Sequence, residues 1–181
     1  LWGVGKKPAR LAQLRQYIIA VKQLLRGEQA DYDGRRFTLQ WADDRSPVEI
    51  PVIVAVAGPR VLEMSCEVAD GMLLSMGFGP DNVAYVRRLV DEACERHGRD
   101  VADLELWWNT EIVFGDSVDE ARARGMGVAT EWLTMGSLDG KQIPDHLREP
   151  LLEFNADIHD ISAEYQDEER ERALIGRAQD L

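Results

Sequence analysis

The sequence predicts an α/β fold built on parallel strands, and three observations carry that prediction. Pro51-Val52-Ile53-Val54-Ala55-Val56-Ala57 is a continuous apolar run, rich in β-branched residues and without polar alternation, as expected of a parallel strand covered on both faces. Apolar stretches and helical periodicities then follow one another as strand, helix, strand, helix, strand, the rhythm of a parallel sheet with crossover helices. The 181 residues are 45% hydrophobic and 30% charged, a balance that buries a core, in a length that allows one domain or two.

The elements follow in order. Leu11, Leu14, Ile18, Val21 and Leu25 step by three and four, predicting an amphipathic helix from Pro8 to Arg26 that Gly27 closes. Ala30 to Trp41 carries Tyr32, Phe37, Thr38 and Leu39 around Asp33-Gly34, a pair that tolerates positive φ in a tight hairpin. The strand from Pro51 ends at Gly58-Pro59-Arg60, which opens a helix to Val68, with Pro59 where a missing N–H does no harm. Asp70-Gly71 leads into a second buried strand, Met72 to Met76. Pro80-Asp81 starts a helix with Val83, Val86, Val90, Ala93 and His97 on one stripe, stopped by Gly98. A third apolar stretch, Leu104 to Phe114, ends at Gly115-Asp116.

Beyond Ser117 the texture becomes helical. Val118, Ala121, Val128 and Trp132 fit one helix, and Leu147, Leu151, Phe154, Ile158, Ile161 and Tyr165 another, each polar on its other face. Gly136 to Pro144 is expected to be a loop, and the charge run Asp167 to Arg172 a solvated face.

Charge and composition narrow the partners. Twenty-one Lys and Arg against 33 Asp and Glu give a net charge of −12, which argues against a nucleic-acid backbone or an anionic membrane surface. The longest apolar run, Ile50 to Gly58, falls far short of the roughly 20 residues that span a bilayer. Two cysteines, Cys66 and Cys94, are too few for a disulfide scaffold and are expected to be small packers in a reducing cytoplasm. The chain begins with Leu1 and is expected to belong to something longer.

The sharpest chemical feature is Ala57-Gly58-Pro59-Arg60. Gly58 lets backbone approach a ligand, the following helix turns free N–H groups and a partial positive charge toward the strand's carboxyl end, and Arg60 adds a forked donor. The competing explanation is structural, since any strand-to-helix turn favours Gly and Pro, and on this pattern alone the two stand about even. In a parallel sheet Ser75 to Gly79 and Asn109 to Glu111 share the same rim. His97 is expected to be a helix-end cation. His146 and His159 lack an i, i+4 partner, and Asp157 and Asp160 are expected to be exposed, so no metal site is predicted. No catalytic acid, base or nucleophile is identifiable. A bound organic cofactor would carry the chemistry better.

The succession Lys6-Lys7-Pro8-Ala9-Arg10-Leu11-Ala12, Leu24-Leu25-Arg26-Gly27-Glu28, Asp31-Tyr32-Asp33-Gly34-Arg35, Pro51-Val52 to Ala57-Gly58-Pro59-Arg60 and Glu67-Val68-Ala69-Asp70-Gly71 resembles the bacterial luciferase-like superfamily. Within it, the turn and the Glu67 to Gly71 block look most like the F420-dependent branch that includes methylenetetrahydromethanopterin reductases. The resemblance runs from Lys6 to Asp119, and beyond that it is only to a helical insertion of variable sequence.

The resemblance implies a single domain over 1–181 that is the C-terminal portion of a (β/α)8 TIM barrel, with 118–181 a helical extension. Pro51 to Ala57, Met72 to Met76 and Leu104 to Phe114 would be strands five to seven, the first four and the eighth having no counterpart. It further implies hydride transfer between an organic substrate and coenzyme F420, with an FMN-dependent monooxygenase as the same-fold alternative and a non-catalytic fragment or interaction module as a third. Cofactor-contacting backbone would lie at Ala55, Val56, Ala57 and Gly58, with Pro59 and Arg60, and at Leu74, Ser75 and Met76. A small-molecule substrate is the implied partner, with a homodimer as one arrangement it allows. The branch that oxidises a sugar phosphate carries a lysine just past the sixth strand where this chain has Phe78, so the resemblance implies an apolar or weakly polar substrate. The 181 residues alone are expected to be inactive.

Overall fold

The computed structural model describes residues 9–40, 50–125, 138, 143 and 145–157. They fall into two compact units, one of Ala9–Asn109 and one that takes up the chain from Thr110.

The first unit opens with α1 (Leu11–Leu25), whose start is fixed by the Arg10 amide donating to Gln13 Oε1 at 3.1 Å. Gly27, at φ 77°, takes the left-handed turn that ends it, and the Glu28 amide reaches back to the Gln23 carbonyl at 2.9 Å. A hairpin follows, β1 (Ala30–Tyr32) antiparallel to β2 (Arg35–Phe37), turning through Asp33 and Gly34 at φ 51° and 70°. Positive φ at both positions matches the right-handed twist of the strands. The hairpin docks on α1, with the Tyr17 and Tyr32 rings edge to face at 5.6 Å.

The centre of this unit is a parallel sheet of β3 (Ile53–Val56), β4 (Gly71–Leu74) and β5 (Glu105–Trp108), in that spatial order. The connections are α2 (Pro59–Val68) and α3 (Pro80–His97), the latter ended by Gly98 in the left-handed conformation. Val54, Val56, Met72 and Leu74 are buried on the helix side with Leu62, Met64 and Cys66 of α2, Val86, Val90, Ala93 and Cys94 of α3, and Ile18 of α1. Each large apolar side chain so buried contributes about 1.5–3 kcal/mol.

The expectation that the first strand is covered on both faces is corrected. Successive side chains of a strand point to opposite faces, and only the helix face is covered here. Ile53 and Ala55 are exposed on the other, beside half-buried Leu73, exposed Glu105 and Trp107, whose exposure is 59%. Register aligns Ala55, Leu73 and Trp107 in one row and Ile53, Gly71 and Glu105 in the row below. The third strand is also shorter than the stretch Leu104 to Phe114. The Asn109 amide makes a bond to the Leu74 carbonyl, and β4 ends there, so residues 109–115 have no ladder to join.

The amino ends of the strands are fastened by residues 67–71. Arg15 of α1 pairs with Glu67, and Lys22 Nζ donates to the Val68 carbonyl at 3.2 Å and to Asp70 Oδ1 at 2.6 Å. Asp70 Oδ2 accepts the Val52 amide at 2.9 Å, and the Arg99 guanidinium donates to the carbonyls of Cys66 and Ala69. A Cβ on Gly71 would stand 2.6 Å from the Glu105 carbonyl oxygen, so glycine is what lets β4 lie this close to β5.

In the second unit residues 118–125 are helical, with Ser117 Oγ accepting the Glu120 amide and Glu120 accepting the Asp116 amide. Asp145–Asp157 forms a further helix. The expectations at Val128, Trp132, Ile158, His159, Asp160, Ile161, Tyr165 and Asp167 to Arg172 lie outside the described residues, as do Pro8 and Trp41. No helix among the described residues is long and apolar enough to cross a membrane.

Candidate functional site at the carboxyl ends of the strands

Parallel strands bring their carboxyl ends to one rim, where the following helices begin. On that rim β3 passes through Ala57 to Gly58, the N-cap of α2, whose carbonyl accepts the Leu62 amide at 3.1 Å. Gly58 is extended, at φ −170°, a conformation open to any residue, so its value to a ligand would lie in space rather than in backbone freedom. Pro59 occupies the first helical turn, and the Arg60 side chain is exposed.

β4 leaves the sheet through Ser75, whose amide donates to the Val56 carbonyl at 2.8 Å, and then turns at Gly77, φ 90°, into Phe78, Gly79 and the N-terminus of α3. Asn109 stands on the same rim at the end of β5, and the residues from Thr110 belong to the other unit.

The structure sorts the nine expected cofactor residues into two groups. Ala55 and Arg60 are exposed, and Ala57, Gly58, Pro59 and Ser75 are half-buried, so all six are accessible. Val56, Leu74 and Met76 are buried in the helix-facing core, so only their backbone can reach a ligand. Their carbonyls already accept from Ser75, Asn109 and Asn82 respectively. The accessible set is small: two alanines, a glycine, a proline and a serine, with one guanidinium at the start of a ten-residue helix. Small side chains leave room for a flat ring, and a helix N-terminus with an arginine suits an anionic tail, so the residues present fit a deazaflavin or flavin.

Other candidates have structural work. His97 Nε2 lies 3.0 Å from Glu63 Oε1, and Arg96 also pairs with Glu63, so the imidazole at the end of α3 has a carboxylate partner on α2. The Arg96 bond chiefly, with His97 adding to it, holds the Glu63 carboxyl below its ordinary range although burial opposes this. Cys66 and Cys94 are buried and free, and desolvation pushes the Cys66 thiol up to about 12. His146 is exposed, and no group of three metal-ligating side chains occurs among the described residues. Sequence reasoning missed Asn82, whose side chain supports the Gly77 to Gly79 loop. The glycine on each side of Phe78 was the available clue.

Comparison with known proteins matches residues 2–180 to the family described as luciferase-like monooxygenase. An F420-dependent glucose-6-phosphate dehydrogenase of Beutenbergia cavernae is 29% identical over 136 residues, covering 72% of this chain and 38% of that protein. One of Rhodococcus erythropolis is 32% identical over 117 residues, covering 62% and 34%. A 5,10-methylenetetrahydromethanopterin reductase of Archaeoglobus fulgidus is 26% identical over 90 residues, covering 49% and 27%. The chain thus spans about a third of the length of the curated relatives it matches. Among solved structures, the coenzyme F420-dependent tetrahydromethanopterin reductase of Methanopyrus kandleri superposes with a TM-score of 0.57 at 20% identity, over 97% of this chain and 50% of that one. That likeness is one of fold: β3, α2, β4, α3 and β5 are consecutive units of a partial (β/α)8 barrel, followed by helical residues, as the sequence predicts.

Proposed function

As the chain belongs to the luciferase-like monooxygenase family, we propose that it forms part of an F420-dependent oxidoreductase acting on a small organic molecule, with the cofactor held at the carboxyl ends of β3 and β4. The observation that carries this reading is the accessible rim of Ala55, Ala57, Gly58 and Ser75 beside Arg60, in a chain whose curated relatives are named for F420 or for methylenetetrahydromethanopterin reduction.

Bound there, the deazaflavin supplies hydride exchange at its C5. The chain's own contribution is binding and exclusion of water. Arg60 and the free N–H groups of α2 hold acidic groups of the cofactor tail. Backbone at Gly58 and Ser75, with the alanines between them, takes the flat ring. The apolar row Ala55, Leu73 and Trp107 lines the side of the sheet turned from the helices, where a closed barrel excludes water.

The same reading makes 1–181 one portion of a barrel domain with 118–181 its helical extension, inactive when produced alone because strands that complete the barrel are needed to enclose the cofactor. The free, buried thiols support a cytoplasmic place, where cysteines stay reduced. A homodimer is compatible with it. The test is titration of the full-length protein with F420, followed by cofactor fluorescence, with FMN in a parallel titration. Saturable micromolar binding of F420 in preference to FMN is expected, and preference for FMN or binding of neither would reject the assignment.

A further inference from the structure

The loop between β4 and α3 carries three side-chain facts. Gly77 is at φ 90°, and a Cβ on it would lie 2.8 Å from Asn82 Nδ2 and 2.9 Å from Asn82 Cγ. A Cβ on Gly79 would lie 3.2 Å from Asn82 Oδ1. Asn82 Nδ2 itself donates to the Met76 carbonyl at 3.3 Å. The Asn82 amide therefore packs against the inside of the loop and is tied to the Met76 carbonyl; a Cβ at position 77 would collide with it, and one at position 79 would press on it. Between the two glycines Phe78 is 59% exposed, the large apolar side chain that the loop presents.

An exposed phenylalanine on a braced loop at the ligand end of a parallel sheet is unlike a loop that merely connects. Asparagine in the first turn of a helix is ordinarily replaceable, and its usual local partner is a nearby backbone N–H. Here it reaches back to a carbonyl six residues earlier. The electrostatics of the mount are also one-sided. No Lys or Arg occurs between Val61 and Val86, and Asp81 occupies the first turn of α3, where it offsets the positive end of that helix. The loop and the first turn of α3 offer an aromatic face and a negative charge, and the next cation along α3, Arg87, lies over the Trp108 ring, 5.6 Å from its centroid.

We propose that Asn82 is a positioning residue that fixes the Gly77–Phe78–Gly79 loop so that the Phe78 ring forms the wall against which an uncharged ring of the substrate rests. This deepens the function proposed above and rests on it, since it takes the carboxyl-end rim as the ligand side. It assigns the substrate a class, an organic molecule whose reacting portion is apolar and uncharged. The anion-holding groups, Arg60 and the start of α2, are then left to the cofactor.

The test uses the full-length protein and two probes, 2-naphthol as an uncharged fused ring and glucose 6-phosphate as an anion, with F420 titrated separately. Wild type is expected to bind 2-naphthol more tightly than glucose 6-phosphate. Phe78→Ala and Asn82→Ala should each weaken 2-naphthol by about tenfold, roughly 1.4 kcal/mol, while in Phe78→Ala the F420 affinity stays within about twofold of wild type. The double variant should lose no more than either single one, because Asn82 acts through Phe78. Asn82→Asp, which keeps the volume and removes the donor, should behave like Asn82→Ala and serves in its place if that variant unfolds. Additive losses, unchanged 2-naphthol binding in either single variant, or tighter binding of glucose 6-phosphate by wild type would overturn the proposal. Failure of wild type to bind F420 would instead overturn the cofactor reading, and this proposal with it.

Discussion

Asp70, at the foot of β4, accepts the amide of Val52, at the foot of β3, at 2.9 Å. The Asp70 amide in turn donates to the Val52 carbonyl at 3.0 Å, so the two residues exchange a pair of bonds just ahead of the strand pairing that starts at Ile53 and Gly71. The other Asp70 oxygen takes Lys22 from α1, so one carboxylate ties a helix and two strands together. Asp70→Ala leaves the Val52 amide without its acceptor and Lys22 with only the Val68 carbonyl, and should cost about 1–3 kcal/mol, read as a lower urea midpoint with unchanged slope.

The same site gives a pH dependence. Burial of Asp70 opposes its ionisation, but the bonds from Lys22 and the Val52 amide outweigh it and hold the carboxyl below its ordinary value. Glu63 and Glu67 are lowered too, chiefly by their bonds to Arg96 and Arg15. A folded-state pKa below the unfolded one contributes stability that is present above the unfolded value and lost as pH falls through the folded one. Urea midpoints should therefore hold steady from pH 7 to about 5 and fall below about pH 4. Asp70→Asn should flatten part of that fall, and an identical acid profile in this variant would show that Asp70 does not contribute.

At Gly71 the close approach of β4 to β5 should make even one methyl group costly. Gly71→Ala places its Cβ 2.6 Å from the Glu105 carbonyl oxygen and from Ile53 Cδ1, and about 1–3 kcal/mol of destabilisation is expected from overpacking. Gly98→Ala meets no neighbouring atom and should cost only the strain of its left-handed φ, about 1 kcal/mol. Thermal melts of the two variants compare the two causes directly.

Gly58→Val tests the cofactor assignment without disturbing the fold, because the extended backbone at this position admits any residue. F420 affinity should fall by tenfold or more, on the order of 1.4 kcal/mol, with circular dichroism unchanged. Equal affinity in the folded variant would place the ring elsewhere.

Cys66 should be inert in the native protein. Its thiol is pushed up to about 12 by burial, with the neighbouring Cys94 adding to the rise, so at pH 8 only about one molecule in ten thousand carries the thiolate. Reaction with a disulfide reagent should be slower than that of an exposed thiol by a factor on the order of a hundred or more, and both cysteines should react once urea unfolds the chain.

The sequence by itself determined the order and type of the described elements. Pro59 and Pro80 at helix starts, Gly27 and Gly98 at helix ends and Asp33-Gly34 in the hairpin act through their own backbone preferences, which need no distant partner to be expressed. The apolar runs at Ile53 and Met72 likewise declared parallel strands, and the accessible members of the expected cofactor rim follow from where those strands end. Tertiary structure alone decided which face of each strand is covered, because an uninterrupted apolar run looks the same whichever side a helix takes. It also decided that Glu67 to Gly71, the block that carries much of the family resemblance, works as a clasp at the strands' amino ends. The partners of that block, Arg15, Lys22, Val52, Arg99 and Glu105, are scattered along the chain and meet only after folding. Strand length past Trp108, and the support of Phe78 by Asn82, were settled the same way, since a ladder bond or a side-chain brace exists only when both of its ends have been brought together.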